Sequence, residues 1–570
     1  MILRRVAVLL VLFAGTLVPV GSSRALAGCA DTHLGNRTAT ARGVSGYGQV
    51  RLFAIQHRLD LKYVTGYQTY RHKMECLLLD YVVPNLSTEV PNVVVLNEDI
   101  GLPTLGIGTR GTGARAMAAL PLKDPENLVG AIGAFGAVGA GYAAQVAYYA
   151  AKEPMTSPQR LILAAATDTF VRAFMQTFSD LARKYGVYIV ASNNQAEFRE
   201  VRIADEPLAA ALIDPDLAPR YLSGELTTVY EAVDWAGGGR PYDKGLGSAG
   251  INVYNKAFIW SPNPGVEPYA KAFFTRHALD RALTPADPRS NLIGETKKTP
   301  ITSIEQSLLD LTDDDDVTSA NTGPFPLPGM NSPTNPAPLS PAVRFGIGIS
   351  LPAFQWGTDF GVPFSGDPCA HSTTWMRCLD ARGTTTFLQP EANPGCCWAD
   401  YIDGGWTPPA WQALSWMNSA WRAVADPTVK NIRYAVTPHM VGNLIDLAFD
   451  GQSVIFERCD LNGYPAPCEG NAPQTFVGAK DFIPCPQAND SCDDSKLSPY
   501  AGLKNETLIM APWVIGDDSA KAPIANRARL TERAHAMLAG AGTPYENGYL
   551  ETAIWADLDF TLGLPPPVGD

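Results

Sequence analysis

The sequence predicts an α/β protein, because strand-like and helix-like segments alternate along the chain. Residues 51–56 form a short β-rich run, and residues 67–83 carry apolar side chains at helical spacing. Residues 92–96 are an almost continuous apolar run bounded by a proline and an acidic pair, which is typical of a strand buried on both faces. A strand, a helix and a strand in this order indicate a sheet with helical crossovers.

The same alternation continues through the chain. Residues 170–185 are spaced as an amphipathic helix, and residues 186–191 follow as the next strand. Later segments predict further elements, namely strands at 345–349, 385–388, 434–437 and 549–558 and a helix at 411–425.

Composition and charge restrict the function. The 570 residues are 46% apolar and 18% charged, so the chain can bury a large core, and no Ser/Gly-rich linker divides it into independent halves. The chain has 44 basic and 57 acidic residues, which gives a net charge of −13 at pH 7, and it contains no dense Lys/Arg block. These observations argue against nucleic acid and against an anionic membrane surface as partners, and they favour a neutral or cationic small molecule.

The first 27 residues resemble an export signal. Two arginines precede an apolar run, and the segment ends in Ala25-Leu26-Ala27, a small-x-small cleavage pattern. Leu26-Ala27-Gly28-Cys29 also resembles a lipobox, which would place a lipid on Cys29 and anchor the protein to a membrane. An even set of ten cysteines favours the freely secreted, disulfide-bonded form, since lipidation would leave nine.

Eight of the ten cysteines lie between residues 369 and 492, so the C-terminal half is predicted to be disulfide-rich. Cys29 and Cys76 lie far from these eight and are expected to pair with each other. Short local loops predict two further pairs, Cys459 with Cys468 and Cys485 with Cys492.

Two segments allow more than one interpretation. Residues 128–151 carry no charge and are rich in glycine and alanine, which favours a buried helical insertion or a contact between subunits of a homo-oligomer over membrane docking. Residues 310–341 contain four consecutive aspartates, Asp313 to Asp316, followed by repeated Pro, Asn, Ser and Gly. This composition favours a surface loop with a solvated acidic turn over a calcium site, because the spaced ligand pattern of a calcium loop is missing.

Several short motifs occur in an order that resembles a known family. The first strand ends in Gln56, the second runs into Glu98, and residues 181–190 pass from a helix into a strand. Residues 253–265 resemble a pair of strands that carries Asn255 and ends in a Pro-Gly turn. Near the end, residues 439–443 and 449–453 form two further matches. Together they resemble the carbon–nitrogen hydrolase superfamily, the nitrilases and aliphatic amidases.

The resemblance implies a four-layer α-β-β-α sandwich over residues 45–562, in which apolar strands are covered by helices and by a second sheet. Long insertions would interrupt this domain at about residues 103–165, 264–294, 310–341, 362–384 and 457–500.

The resemblance also implies a site built from a Glu, a Lys and a nucleophile. Glu98 matches the Glu, although Asn97 replaces the usual Pro. Lys256 and Lys298 are both candidates for the Lys, and Lys298 is preferred because Lys256 follows Asn255 on a non-catalytic strand. Glu305 resembles the family's auxiliary glutamate. Ser350 occupies the position of the usual cysteine nucleophile, and that departure puts activity in doubt because a hydroxyl ionises far less readily than a thiol.

Two classes of function follow from this site. The first is an exported hydrolase of an amide or nitrile, and the second is an inactive member of the same fold that binds a ligand or partner. Structural alternatives exist for each residue: a strand-capping serine, an exposed turn carboxylate and a solvated lysine pair. Cys396 and Cys397 are better explained as disulfide partners than as nucleophiles. The seven histidines show no metal-ligand spacing and no phosphate-binding loop occurs, so no metal or cofactor is expected.

Overall fold

The computed structural model describes residues 29, 38–46, 48–118, 129–154, 156–202, 206–214, 216–217, 244–262, 291–313, 315–326, 343–392, 412–444, 447–450, 453–458, 507–511 and 550–560. The predicted signal segment 1–27, the cysteines at 396, 397, 459, 468, 485 and 492 and the Pro-Gly turn at 264–265 lie outside these residues.

Strands and helices alternate, as the sequence predicts. The strands are β1 Arg42–Val44, β2 Val50–Arg58, β3 Asn92–Val95, β4 Tyr188–Arg202, β5 Lys244–Trp260, β6 Leu292–Lys297, β7 Phe325–Pro326, β8 Arg344–Ile347, β9 Thr386–Leu388, β10 Tyr434–Thr437, β11 Met440–Leu444, β12 Leu447–Asp450, β13 Val454–Glu457, β14 Thr507–Met510 and β15 Thr552–Leu558. The α-helices are α1 Tyr67–Leu77, α2 Thr112–Ala118, α3 Val129–Gly141, α4 Ala143–Lys152, α5 Pro158–Ala165, α6 Thr167–Thr169, α7 Gln176–Tyr185, α8 Ser303–Leu309, α9 Ser319–Thr322, α10 Trp375–Ala381 and α11 Gln412–Ala425. Wider π-helical turns at Leu78–Val82 and Phe170–Met175 extend α1 and precede α7.

The strands form two sheets. The first has the order β1-β15-β2-β3-β4-β5-β6, and the β11–β12 hairpin joins it beside β2; the second has the order β14-β13-β10-β9-β8-β7. Strands β2, β3 and β4 are parallel neighbours in the first sheet, and β8, β9 and β10 are parallel neighbours in the second. Their carboxyl ends therefore gather at one edge of each sheet, where ligand sites of α/β proteins are commonly found.

One hydrophobic cluster joins the two sheets. Alternate residues of β2, such as Leu52, share this cluster with residues of the second sheet such as Phe345 and Val436. The opposite face of β2, which includes Phe53, packs against α1 and α7. The outer face of the second sheet packs against α10 and α11. Each side chain is directed to one cluster or the other by the two-residue period of a strand.

Three sequence interpretations need correction. Strand β4 continues to Arg202, well beyond residues 186–191, because its polar second half pairs with β5 along nearly its full length. Residues 253–260 belong to the single long strand β5 rather than to a pair of strands. The segment 310–341 contains α9 and β7, so it is not only a loop.

The cysteine-containing segment 362–384 contributes to the core. It contains α10, whose Trp375 and Leu379 are buried in the cluster under the second sheet. Parallel strands need a crossover connection, and α10 lies in the crossover from β8 to β9. A disulfide between Cys369 and Cys378 ties α10 to the residues before it.

The predicted disulfide between Cys29 and Cys76 is present. The Cys29 sulfur is bonded in this disulfide, so the same atom is not free to carry a lipid. Within the described part of the chain, no single helix is both long and apolar enough to cross a bilayer; α3 and α4 reach the required length and hydropathy only as a pair, with an 80° bend between them.

The described side chains of the acidic turn, Asp313, Asp315 and Asp316, accept hydrogen bonds from neighbouring segments and from the turn itself. Asp313 Oδ1 accepts from the Thr299 hydroxyl at 2.8 Å, and Asp316 Oδ1 accepts from the Thr318 N–H at 2.9 Å. Asp315 accepts from the backbone N–H of Ser372 and lies 2.8 Å from His371 Nδ1. These contacts tie the described aspartates to Thr299, Thr318 and residues 371–372.

A buried histidine gives the fold a predictable acid sensitivity. Burial lowers the pKa of His439 from 6.5 to about 3. The neutral ring therefore stabilises the fold above pH 6.5, and this contribution is lost as the pH falls from 6.5 towards 3. Between pH 7 and pH 5 the loss should be about 2 kcal/mol, because the unfolded state binds the proton first. Urea unfolding measures this loss. Between pH 7 and pH 5, the unfolding free energy of His439→Gln should decrease by correspondingly less than that of the natural chain, and equal decreases would contradict the lowered pKa of His439.

Candidate active site

A buried lysine lies between two glutamates. Lys298 Nζ is 2.7 Å from Glu98 Oε1 and 2.8 Å from Glu305 Oε2, and all three side chains are almost completely buried. Glu98 and Lys298 are 200 residues apart in the sequence. The structure thus brings together three of the four residues that the sequence singles out, and it excludes the alternatives of an exposed turn carboxylate for Glu98 and a solvated pair for Lys298.

The loop after β3 positions Glu98. Ser192, on the neighbouring strand β4, accepts a hydrogen bond from the Asp99 N–H at 3.0 Å through its hydroxyl oxygen. Its backbone carbonyl accepts from the Gly101 N–H at 3.1 Å. Asp99 has a φ of 59°, so the chain turns sharply just after Glu98. These contacts fix the turn that directs the Glu98 carboxylate towards the carboxyl edge of the sheet.

Lys298 follows directly after β6, which runs antiparallel to β5. Its backbone N–H donates to the Asn255 carbonyl at 2.7 Å, which continues the pairing with β5. Lys256, the other candidate, is also buried, but its ammonium contacts Glu197 at 2.8 Å and Glu295 at 3.3 Å. The two lysines therefore belong to different ion-pair clusters, and only Lys298 contacts Glu98.

A helix cap holds Glu305. Thr302 caps α8 by accepting from the Glu305 N–H, and the Glu305 carboxylate accepts from the Thr302 N–H at 2.8 Å and from its hydroxyl at 2.7 Å. This reciprocal arrangement is a capping box. The same carboxylate contacts Lys298, so the start of α8 fixes the second counter-ion of the lysine.

Asn255 links the two carboxylates. Its side-chain N–H₂ donates to Glu98 Oε1 at 2.7 Å and to Glu305 Oε1 at 2.8 Å. Its side-chain oxygen has no hydrogen-bond partner among the described residues. The sequence interpretation treated Asn255 only as a marker of a non-catalytic strand. Asn255 lies in the middle of β5, and its neighbours in the sequence gave no indication that it bridges the two glutamates.

The cluster shifts the pKa of each member. Burial raises the pKa of Glu98 above 4.5, and the charge of Lys298 opposes that shift only in part. Burial also acts on Glu305, but there the Lys298 ammonium and the donated hydrogen bonds outweigh it and lower the pKa. Burial disfavours a charged Lys298, yet the two carboxylates more than offset it and raise its pKa. The site therefore contains a charged Lys298, an ionised Glu305 and a Glu98 that is more basic than an ordinary glutamate.

Two other groups complete the surroundings of Glu98. The backbone N–H of Ala392, four residues past β9, donates to Glu98 Oε2 at 3.1 Å and so connects the second sheet to the site. Asp99 lies beside Glu98, and burial together with the charges of Glu98 and Glu305 raises the pKa of Asp99 well above its ordinary value. Asp99 belongs to the acidic pair that follows the strand, whereas Ala392 carried no sequence motif that would have identified it.

Ser350 lies at the carboxyl edge of the second sheet. Ile347 of β8 pairs with Leu388 of β9, and Ser350 follows three residues later, at about the level where β9 leads into Ala392. The residue is fully buried. Its backbone has φ 57° and ψ −112°, outside the ordinary left-handed region, and its carbonyl accepts from the Ala353 N–H at 3.0 Å. Strained backbone of this kind often marks a functional position.

Only one group of possible metal ligands occurs within the described ranges, consisting of Cys29, Cys76 and Asp80. Both sulfur atoms of that group are joined in the disulfide, so they are not available as thiolate ligands.

Removal of the lysine charge should destabilise the protein. Lys298→Met leaves two carboxylates facing each other in a buried site, and breaking a buried ion pair in this way typically costs about 3–5 kcal/mol of unfolding free energy. Denaturant unfolding at pH 7 measures the loss. Glu305→Gln added to Lys298→Met should restore part of it, because one of the two facing charges disappears.

Lys297→Met is the matched control. Lys297 neighbours Lys298 but is only partly buried, with its ammonium above the ring of Tyr254. Its loss should cost about 1 kcal/mol or less. Equal losses for the two lysine variants would contradict the buried cluster.

The chain was compared with known proteins. No family model matches it, and no curated protein matches it. Solved structures that match include three mutants of the amidase from Nesterenkonia sp. AN1. A glutamate-to-glutamine mutant, with acrylamide added to its active-site cysteine, is 10% identical and the match covers 72% of this chain and 85% of that chain, with a TM-score of 0.30.

The other two mutants match to a similar extent. A cysteine-to-serine mutant, described as belonging to the nitrilase superfamily, is 11% identical over 72% of this chain and 85% of that one, with a TM-score of 0.32. A cysteine-to-alanine mutant in complex with butyramide is 11% identical over 72% and 84%, with a TM-score of 0.30. These TM-scores are too low to establish a shared fold, so the site is interpreted from its own residues.

Proposed function

We propose that this chain is a hydrolase of non-peptide carbon–nitrogen bonds, acting on an amide or a nitrile through Glu98, Lys298 and Ser350. The observation that carries the proposal is the buried Lys298 ammonium with Glu98 at 2.7 Å and Glu305 at 2.8 Å. Burying three charged groups at one sheet edge is costly, and such clusters of perturbed groups are typical of functional sites.

Glu98 is the proposed general base. It would accept the proton of the Ser350 hydroxyl while the serine oxygen attacks the carbonyl carbon of an amide. Collapse of the tetrahedral intermediate breaks the carbon–nitrogen bond, and Glu98 returns the proton to the departing ammonia. Water then attacks the ester carbon while Glu98 accepts its proton. When the bond between that carbon and the serine oxygen breaks, Glu98 returns the proton to the serine oxygen, so the carboxylic acid is released and the serine is restored.

Lys298 is the proposed stabiliser of the negative charge that develops on the substrate oxygen. An ammonium has three N–H donors, and the contacts to Glu98 and Glu305 engage two of them. The third remains for a substrate oxygen. Glu305 holds the lysine in place, and a preorganised donor in a buried site can contribute a large part of the rate enhancement.

Ser350 is the proposed nucleophile. Support comes from its strained backbone and from its place at the carboxyl edge of the second sheet, the edge from which Ala392 reaches Glu98. The alternative of a serine that only caps the strand end accounts less well for the unusual φ and ψ, because a cap needs no such strain.

The fold assignment belongs to the same proposal. We infer the four-layer sandwich of the nitrilases over residues 45–562 from the cluster shared by both sheets and the helices on their outer faces. The signal-like segment and two disulfides support an exported protein.

One observation favours a second function, an inactive binding protein of the same fold. A serine hydroxyl gives almost no oxyanion at neutral pH, whereas a cysteine at this position would be a few per cent thiolate. In that case Glu98, Lys298 and Asn255 would form a polar pocket that binds a ligand without cleaving it.

Measurement of ammonia release distinguishes the two functions. We expect the natural chain to hydrolyse at least one member of a panel of simple amides and nitriles, and Ser350→Ala to lose that activity by about 10³-fold or more, since the nucleophile is removed. Ser350→Cys should be at least as active as the natural chain. Circular dichroism of each variant controls for folding.

The outcomes separate cleanly. If only Ser350→Cys releases ammonia, the natural chain has lost an ancestral activity and the binding function is favoured. If neither chain is active, while both are folded, the assignment of the nucleophile is wrong.

The raised pKa of Glu98 predicts the pH dependence of the reaction. A protonated carboxyl cannot accept a proton, so kcat/KM should fall as the pH decreases through the pKa of Glu98 in the free enzyme. Because burial raises that pKa, the acid limb should lie above pH 4.5. Initial rates between pH 4 and pH 9, with folding monitored over the same range, measure the limb. A limb at or below pH 4.5 would rule out Glu98 as the base.

A further inference from the structure

An apolar pocket ends at the lysine cluster. It offers about 190 Å³ of space and opens to solvent, and most of its wall consists of aliphatic and aromatic side chains. Glu305 and Ala392 line one part of it, and these same residues contact Lys298 and Glu98. The pocket therefore reaches residues that directly contact the proposed reaction centre.

Two separate hydrophobic clusters form the walls. One wall comes from the cluster that includes Leu105, Val138 and Leu309. The other comes from the small cluster of Leu59, Met440 and Phe449, with contributions from the β11–β12 hairpin. The space lies between the two clusters, so a ligand with an apolar chain would complete the packing between them.

The glycine- and alanine-rich helix α3 supplies part of the first wall. Ala131, Ala134 and Val138 lie on one helical face and line the pocket. Small side chains at two of these positions leave room that larger residues would fill. This gives the uncharged segment 128–151 a role that its sequence left open.

Three ionisable side chains, Asp99, Arg115 and Glu305, lie in the wall. The Arg115 guanidinium donates to the carbonyls of Gly106 and Gly108, the latter at 2.9 Å. Glu305 is held by Lys298, Asn255 and Thr302. Asp99 Oδ1 has no hydrogen-bond partner among the described residues, so it could accept from a ligand N–H next to Glu98. Most of the remaining wall is apolar, and recognition there depends on apolar burial.

We propose that the pocket takes the acyl chain of the substrate, and that the substrate is an amide of a medium- or long-chain aliphatic acid. The chain would lie between the two hydrophobic clusters, and the amide would reach Glu98 and Lys298 past Glu305 and Ala392. The catalytic part of this assignment rests on the proposed function, whereas the binding of the acyl chain does not. The aliphatic and aromatic lining extends well beyond the residues that contact Glu98 and Lys298, so it suits an extended apolar chain better than the single methyl group of acetamide.

Calorimetric titration tests the pocket separately from turnover. Acetamide, butyramide, hexanamide and decanamide are titrated into the full chain carrying Ser350→Ala, so that no substrate is consumed. Affinity should rise by about fourfold for each added methylene until the pocket is filled, as expected for apolar burial. An affinity that does not change with chain length would overturn the proposal.

Matched variants locate the binding site. Ala134→Phe fills the pocket and should weaken decanamide binding by at least tenfold, while Ala140→Phe, on an exposed part of the same helix, should leave it unchanged. Leu308→Gln, at a partly exposed position of the wall, is a second test if Ala134→Phe does not fold; it too should weaken decanamide binding. Equal binding by all variants would place the ligand elsewhere.

The outcomes distinguish this inference from the proposed function. Tight decanamide binding without ammonia release from any amide by the natural chain would support the pocket and contradict the hydrolase. Hydrolysis of acetamide at a rate equal to that of decanamide, without chain-length-dependent binding, would support the hydrolase and contradict the acyl pocket.

Discussion

The buried ammonium of Lys298 is the interaction on which the site depends. Its charge is removed from water, and the desolvation cost is offset only if close carboxylates and well-placed hydrogen bonds surround it. Glu98 and Glu305 provide the charges, and Asn255 bridges them from the middle of β5. The loop after β3, the end of β6 and the start of α8 must therefore all be in place at once.

This requirement explains the long-range pairing around the site. Strands β3 and β6 are separated by β4 and β5, so their ends meet only when the whole sheet has formed. Ala392 adds a contact from the second sheet, which couples the packing between sheets to the position of Glu98. A second buried pair, Lys73 with Glu551 at 2.6 Å, joins α1 to the residue before β15.

Sequence periodicity predicted the elements whose side chains are buried uniformly or at regular intervals. Strands β2, β3 and β10 and helices α1, α7 and α11 lie close to where their apolar residues indicated. It could not predict that β4 and β5 continue as a long hairpin, because there cross-strand pairing stabilises polar residues. It also treated α10 as part of an insertion, since a short crossover helix has too few turns to show a period.

The same contrast applies to the site. Glu98, Lys298 and Glu305 could be selected because they stand in short motifs whose order along the chain resembles that of the carbon–nitrogen hydrolases. The contacts of Asn255 and Ala392 with Glu98 join residues that are far apart in the sequence, so no local pattern reveals them. The apolar pocket is a further case of this kind. Its walls come from α3, α8 and the β11–β12 hairpin, and only the folded chain shows that their apolar faces leave a space between them. A hydrolase that binds its substrate through such a pocket would gain much of its binding energy far from the reacting atoms. That energy would hold the substrate carbonyl in position for attack and so offset the weakness of an oxygen nucleophile.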